Sequence, residues 1–184
     1  PAGLPTVGSA VTSTATPTRA STKPVNTQAA SGDDTPTGTR QPGRLSGTRV
    51  SFANSDPKQV PRQEIIDALD KMCNEVDIYV QITPQGGWTG RASGTKNHPL
   101  GWAADIQIMQ KGGGLLYPSS SSGIYGKAAE VLQKNANAKG IRPGIGGYPR
   151  FLHYDESPFR QNRYPQSKVG FWDSGWRVSP YLSA

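Results

Sequence analysis

The chain has 184 residues and a mass of 19.6 kDa, which suits one medium-sized domain and excludes two substantial ones. Hydrophobic residues make up 34% and charged residues 18%, and no run approaches the ~18 apolar residues of a membrane span. The net charge is +7, but the basic residues are scattered among acidic ones rather than concentrated as in nucleic-acid binders. We therefore expect nucleic acid not to be a partner, whereas an anionic polymer such as a cell wall suits this charge.

The N-terminal part of the chain differs in composition from the rest. Of the first forty residues, 29 are Thr, Ser, Pro, Gly or Ala, and all fifteen aromatic residues lie at or after Phe52. Such a segment buries too little apolar surface to offset its own ordering entropy. We therefore predict an extended tail over residues 1–50 that contacts partner chains in an assembly, and one domain over residues 51–184. The start of the chain lacks the basic-then-apolar order of a signal peptide.

The first predicted elements are a helix and a strand. Apolar residues recur at three- and four-residue spacing over about 61–76, which predicts an amphipathic helix. The single cysteine, Cys73, lies on its apolar face, so we interpret it as a core residue, and no internal disulfide can form. Residues 77–83 alternate between apolar and polar, which predicts a half-buried strand. A glycine-rich loop follows, from Pro84 to about Leu100.

Two further strands and a second helix complete the predicted domain. Residues 102–109 alternate, with Asp105 on the face away from the core. A helix is predicted over 124–139, ending at Gly140, and a third strand over 150–155. This order is typical of a small α+β domain in which helices pack on an antiparallel sheet. We expect irregular structure from Tyr164 onwards, with two tryptophans, Trp172 and Trp176, covering an edge.

Both histidines of the chain occur in distinctive local sequences. His98 begins the segment His-Pro-Leu-Gly-Trp-Ala-Ala-Asp, which ends at Asp105, and His153 lies in Phe-Leu-His-Tyr-Asp, which ends at Asp155. On the predicted strands, the side chains of Asp105, His153 and Asp155 all point away from the core. Two imidazoles and one carboxylate suffice to hold zinc with an open fourth position. The alternative is that the histidines are buried and hydrogen-bonded to the backbone without a metal.

The pattern His-x-x-Gly-x-Ala-x-Asp, followed by aromatic-x-His-x-Asp, resembles the zinc peptidases of the D-alanyl-D-alanine carboxypeptidase and hedgehog-like fold. It is most similar to the versions found in phage proteins, and the resemblance covers about residues 60–180. Further matching positions are an Ile-Thr pair and glycines before the first histidine, an Arg and a Gly close to it, and a glycine-rich turn before the second histidine: Ile82, Thr83, Gly86, Gly87, Arg91, Gly94 and 144–149.

The resemblance implies that His98, Asp105 and His153 are zinc ligands. It also implies hydrolysis of peptidoglycan peptide stems, in which bound zinc lowers the pKa of water towards ~7. Arg91 would hold a substrate carboxylate through its planar guanidinium, or it is simply a charge on the loop surface. A second residue, Asp155, is the candidate for proton transfer.

The sequence departs from the family pattern where the general base is expected. Active members place Glu, Asp or His two or three residues before the last ligand, but Arg150 and Phe151 occupy these positions. Asp155 could serve instead as the base, or it orients a metal ligand. Lys96 stands where many members have Ser.

Other residues near the expected cleft have two interpretations each. Trp88 and Trp102 could stack on a sugar or serve only in packing. Glycines in the segment 144–147 could hold an anion, or they form a turn that needs positive φ, the simpler interpretation.

Two functional hypotheses remain open. The chain is either a peptidoglycan peptidase carried on a phage tail or baseplate, or a catalytically inactive structural protein of the virion that uses the fold for assembly. Under both, the N-terminal tail contacts other virion proteins.

Overall fold

The computed structural model describes residues 41–89, 97–156 and 169–183. Within these ranges it contains six strands and two α-helices: β1 (Val50–Phe52), α1 (Gln63–Val76), β2 (Tyr79–Ile82), β3 (Ala103–Met109), α2 (Ser122–Ala138), β4 (Gly144–Gly147), β5 (Leu152–Asp155) and β6 (Gly170–Asp173). Residues 1–40, which hold most of the predicted tail, lie outside the described residues. From position 43 on, the chain already contacts the domain, because the Gly43 N–H donates to the Pro61 carbonyl at 2.7 Å.

The six strands form one mixed sheet in the order β1-β2-β3-β5-β4-β6. The four central strands pair antiparallel, whereas β1 is parallel to β2 and β6 is parallel to β4. The α+β class is therefore confirmed, but the expectation of an antiparallel sheet is wrong at both edges. The edge strands β1 and β6 were not predicted, because segments of three and four residues carry too little alternation to be recognised.

The two predicted helices are confirmed with shifted ends. α1 begins at Gln63 because Arg62 still has an extended ψ of 157°. It ends where Asp77 adopts the left-handed conformation, with φ of 56°, and donates its N–H to the Cys73 carbonyl. α2 ends at Ala138, one residue before the predicted end and two before Gly140. Neither described helix is long and apolar enough to cross a bilayer.

The hydrophobic core lies between the helices and one face of the sheet. Apolar residues of α1 and α2 pack against this face of the sheet. The strand residues that form the face are alternate residues of the four central strands: Val80, Ile82, Ala104, Ile106, Ile108, Ile145, Leu152 and Tyr154. Cys73 is fully buried among them, as predicted, and burial raises the pKa of its thiol to about 12. The opposite face of the sheet carries the polar residues singled out in the sequence.

Candidate metal centre

Strand register brings the two halves of the candidate site together. Asp105 on β3 lies directly opposite His153 on β5, and His153 lies opposite Gly146 on β4. Because side chains alternate along a strand and Leu152 and Tyr154 point into the core, Asp105 and His153 lie on the other face. The predicted orientation of both residues is confirmed.

His98 reaches the same place from the turn that leads into β3. The Gly101 N–H donates to the His98 carbonyl at 3.0 Å, and the Trp102 N–H donates to the Asn97 carbonyl at 2.9 Å. Gly101 has a φ of 76°, and a Cβ there would lie 2.5 Å from the Trp88 ring. Only glycine fits this position without strain, so Gly101 sets the path of the turn that carries His98.

Arg62 fastens this turn to the start of α1. Its backbone N–H donates to the Gly101 carbonyl at 3.0 Å, and its Nε donates to the Leu100 carbonyl at 2.8 Å. The guanidinium carbon lies 4.9 Å from the ring centroid of Trp88 and 4.8 Å from that of Trp102. Trp88 is 5% exposed, so the structure supports its interpretation as a packing residue.

Three potential ligand atoms meet at the centre of the site. His98 Nε2 lies 3.3 Å from both Asp105 Oδ1 and His153 Nδ1, and Asp105 Oδ1 lies 2.7 Å from His153 Nδ1. Ligand atoms of a tetrahedral zinc ion with bonds of about 2.0–2.1 Å are about 3.3 Å apart. Both distances from His98 Nε2 match this spacing, whereas Asp105 Oδ1 and His153 Nδ1 are at hydrogen-bond distance and would have to separate by about half an ångström when an ion binds. All three residues are at most 6% exposed. This buried triad could hold a metal ion.

The remaining ring nitrogens of the two histidines also have partners. His98 Nδ1 lies 3.0 Å from the Gly87 carbonyl oxygen, which can only accept, so Nδ1 carries a proton and Nε2 is the nitrogen that faces the other two candidate ligands. His153 Nε2 lies 3.1 Å from Asp155 Oδ2. Metal-binding histidines commonly donate their other N–H to such oxygen atoms.

The charges of the site suit a divalent cation. Asp105 and Asp155 are 2% and 0% exposed, and each contacts His153. Burial alone would lower the pKa of His153, but hydrogen bonds to the two carboxylates outweigh it and raise that pKa to about 9. Burial alone would raise the pKa of Asp105, but hydrogen bonds from His153 and His98 outweigh it and hold the pKa well below its usual range. The two carboxylates together supply the two negative charges that would balance a divalent ion.

The glycine-rich segment beside the site is a strand rather than the predicted turn. Residues 144–147 form β4, and no positive φ is found there among the described glycines. A Cβ at Gly146 would lie 2.3 Å from the Trp172 ring, so the glycine lets this indole lie across β4. The Trp172 ring reaches His153, with centroids 5.0 Å apart, and its Nε1 donates to the Tyr148 hydroxyl. The glycines therefore permit close packing.

The structure brings together four of the five predicted site residues. Asp155 joins the three candidate ligands through His153, whereas Arg91 lies outside the described residues, as do Gly94 and Lys96. Phe151 stacks on Tyr148, with ring centroids 4.4 Å apart.

Sequence reasoning missed three contributors to the site, for different reasons. The contact of Gly87 with His98 is made by a backbone carbonyl, which any residue type carries, so the residue type does not reveal it. The contact of Trp172 with His153 depends on strand pairing. Arg62 stands three residues before Ile65, the first apolar residue of the helical periodicity, and its contacts with a distant loop leave no local pattern.

Comparisons of the chain with protein-family models, curated proteins and solved structures found no match.

Proposed function

We propose that this chain is a zinc peptidase-like protein of a phage tail or baseplate that cleaves the peptide stems of peptidoglycan. The observation that carries the proposal is the convergence of His98 Nε2, Asp105 Oδ1 and His153 Nδ1 within 3.3 Å of one another. These residues also stand in the order and spacing of the peptidase pattern that the sequence resembles. Virion location rests on the phage versions of that pattern and on the composition of residues 1–50.

The chain's own residues have separate tasks in this proposal. His98, Asp105 and His153 would hold the zinc ion, and Gly87 and Asp155 would keep the protons on the ring nitrogens that face away from it. When bound, zinc polarises a scissile carbonyl and lowers the pKa of a bound water molecule. Arg91 would bind a carboxylate of the peptide stem, which is one of the two roles that the sequence leaves open for it.

A specific observation favours a second candidate, a structural virion protein without catalysis. Asp155 contacts His153 at Nε2, the ring nitrogen on the side away from the other two ligands. That hydrogen bond occupies the carboxylate that was the candidate general base, and Arg150 and Phe151 cannot take over the role. In this alternative, the metal centre stabilises the sheet, and the N-terminal tail contacts neighbouring virion proteins.

Metal content and peptide-stem release from purified peptidoglycan together test the proposal. The variants are His153→Ala and, as a matched control, Gln107→Ala, which removes a nearly buried polar side chain of β3 that donates to the Arg150 carbonyl just before β5. A peptidase predicts about one zinc per chain and released fragments, both lost in His153→Ala and kept in Gln107→Ala. Zinc without fragments supports the structural candidate, and a chain that takes up no zinc overturns both.

A further inference from the structure

We propose that Asp155 is a positioning residue that selects Nδ1 of His153 as the metal-binding nitrogen. The inference rests on the proposed metal centre and concerns one step in its assembly, the choice between the two nitrogens of one imidazole. That choice matters because a neutral imidazole has one protonated nitrogen and one free lone pair.

The two sides of the His153 ring face different partners. Nδ1 lies 2.7 Å from Asp105 Oδ1 and 3.3 Å from His98 Nε2, so it points into the triad. Nε2 lies 3.1 Å from Asp155 Oδ2. A proton on Nε2 completes a hydrogen bond to this carboxylate and leaves the Nδ1 lone pair for the metal. Without a metal, Asp105 can hold a proton on Nδ1, because its carboxylate lies at hydrogen-bond distance from that nitrogen. The metal replaces this proton, and the ring then keeps the proton on Nε2 because Asp155 accepts it there.

The strand register leaves room for Asp155 to do this. Its neighbours across the sheet are Ala103 on β3 and Gly144 on β4, which are among the smallest side chains available. The carboxylate can therefore turn along its own strand towards His153, two residues away on the same face. A fully buried carboxylate is costly unless it is paired, and the His153 N–H supplies a partner.

The two histidines differ in how their orientation is held. His98 donates to the backbone carbonyl of Gly87, a neutral acceptor that no substitution removes. His153 donates to a side chain that carries a negative charge, which makes the ring a stronger base towards the metal. Asp155 is therefore the partner through which metal affinity can be tuned by a single substitution.

The test measures zinc affinity by chelator competition for wild type, Asp155→Ala and Asp155→Asn. The control is Asp173→Asn, which removes a carboxylate that accepts from Val178 and Ser179 at the end of β6, away from the triad. We expect the zinc Kd to rise about 10–100-fold in Asp155→Ala. The rise should be smaller in Asp155→Asn, because the amide oxygen still accepts from Nε2–H, and Asp173→Asn should bind zinc as wild type does.

Nitrogen-15 NMR of the zinc-loaded wild-type protein provides a second readout that does not depend on any variant folding. We expect His153 Nε2 to be protonated and Nδ1 to bear the metal. Two results would overturn the role of Asp155 and leave the metal centre intact. One is zinc bound to Nε2. The other is a zinc Kd of Asp155→Ala within about twofold of wild type, where we expect a rise of at least about tenfold. A wild-type chain that binds no zinc would overturn the proposed function and this inference with it.

Discussion

Asp105 and His153 lie directly opposite each other on β3 and β5, and Asp105 Oδ1 is 2.7 Å from His153 Nδ1. The same strand pairing that closes the centre of the sheet therefore brings two candidate metal ligands into contact. Because both side chains are nearly fully buried, neither charge is screened by water, and each depends strongly on the other.

Replacing the carboxylate of the pair should remove metal binding with little change in shape. In Asp105→Asn, the negative charge and one good zinc ligand are lost. We therefore expect the zinc Kd to rise more than about 100-fold, which exceeds the rise expected when a residue that only orients a ligand, such as Asp155, is replaced. Chelator competition measures the change. The matched control is Asp77→Asn, at an 86% exposed side chain paired with Arg49, which should bind zinc normally. Equal affinities in the two variants would contradict the assignment of Asp105.

The pH dependence of stability should differ between zinc-free and zinc-loaded protein. The pKa of His153 is about 9 in the fold, above the ordinary value of 6.5, so its protonated form is stabilised by folding. This stabilisation is fully present below pH 6.5 and is lost as the pH rises through about 9, by at most ~3 kcal/mol.

Urea unfolding at several pH values, with chelator or with saturating zinc, tests this expectation. The chelator-treated protein should lose stability between pH 6.5 and 9. Zinc-loaded protein should not show this loss, because a metal-bound His153 carries no proton on Nδ1 at either pH. Parallel curves in the two conditions would show that the metal does not compete with this proton.

Gly146 should tolerate no side chain. In Gly146→Ala the new Cβ would lie 2.3 Å from the Trp172 ring, so the indole must move away from His153. We expect a loss of about 1–3 kcal/mol in unfolding free energy and a change in tryptophan fluorescence. The control is Gly123→Ala in α2, where no atom lies within 4 Å of the new Cβ and stability should be unchanged or slightly higher. A Gly146→Ala protein as stable as this control would contradict the packing argument.

Arg62 should support the metal centre from a distance. Arg62→Ala removes the hydrogen bond to the Leu100 carbonyl and the stacking between Trp88 and Trp102. We expect a loss of about 2–3 kcal/mol in urea unfolding. Zinc affinity should also fall, because the turn held by Arg62 carries His98.

Arg44→Ala is the matched control for this expectation, since Arg44 is exposed and its backbone N–H, which the substitution keeps, donates to Gln63. It should leave both stability and zinc affinity unchanged. Normal zinc affinity in a destabilised Arg62→Ala protein would show that the turn that carries His98 keeps its shape without the side-chain contacts of Arg62.

Local patterns in the sequence were sufficient to predict the two helices and the buried and polar faces of β2, β3 and β5. Helical periodicity identified α1 and α2, and alternation placed Asp105 and His153 away from the core. These properties depend on residues within a few positions of one another, so a single sequence displays them. The three candidate metal ligands followed from the motif around each histidine.

The tertiary structure alone decided how these elements combine. The parallel edge strands β1 and β6 arise from pairing between distant segments, and the glycines of β4 resemble a turn until their partner strands are known. The partners of the outer ring nitrogens, Gly87 for His98 and Asp155 for His153, are likewise fixed by tertiary contacts that no spacing in the sequence contains. The amino-acid sequence by itself determined which residue types and faces are available, because these are local. Register and side-chain contacts determined the site, because they depend on long-range packing.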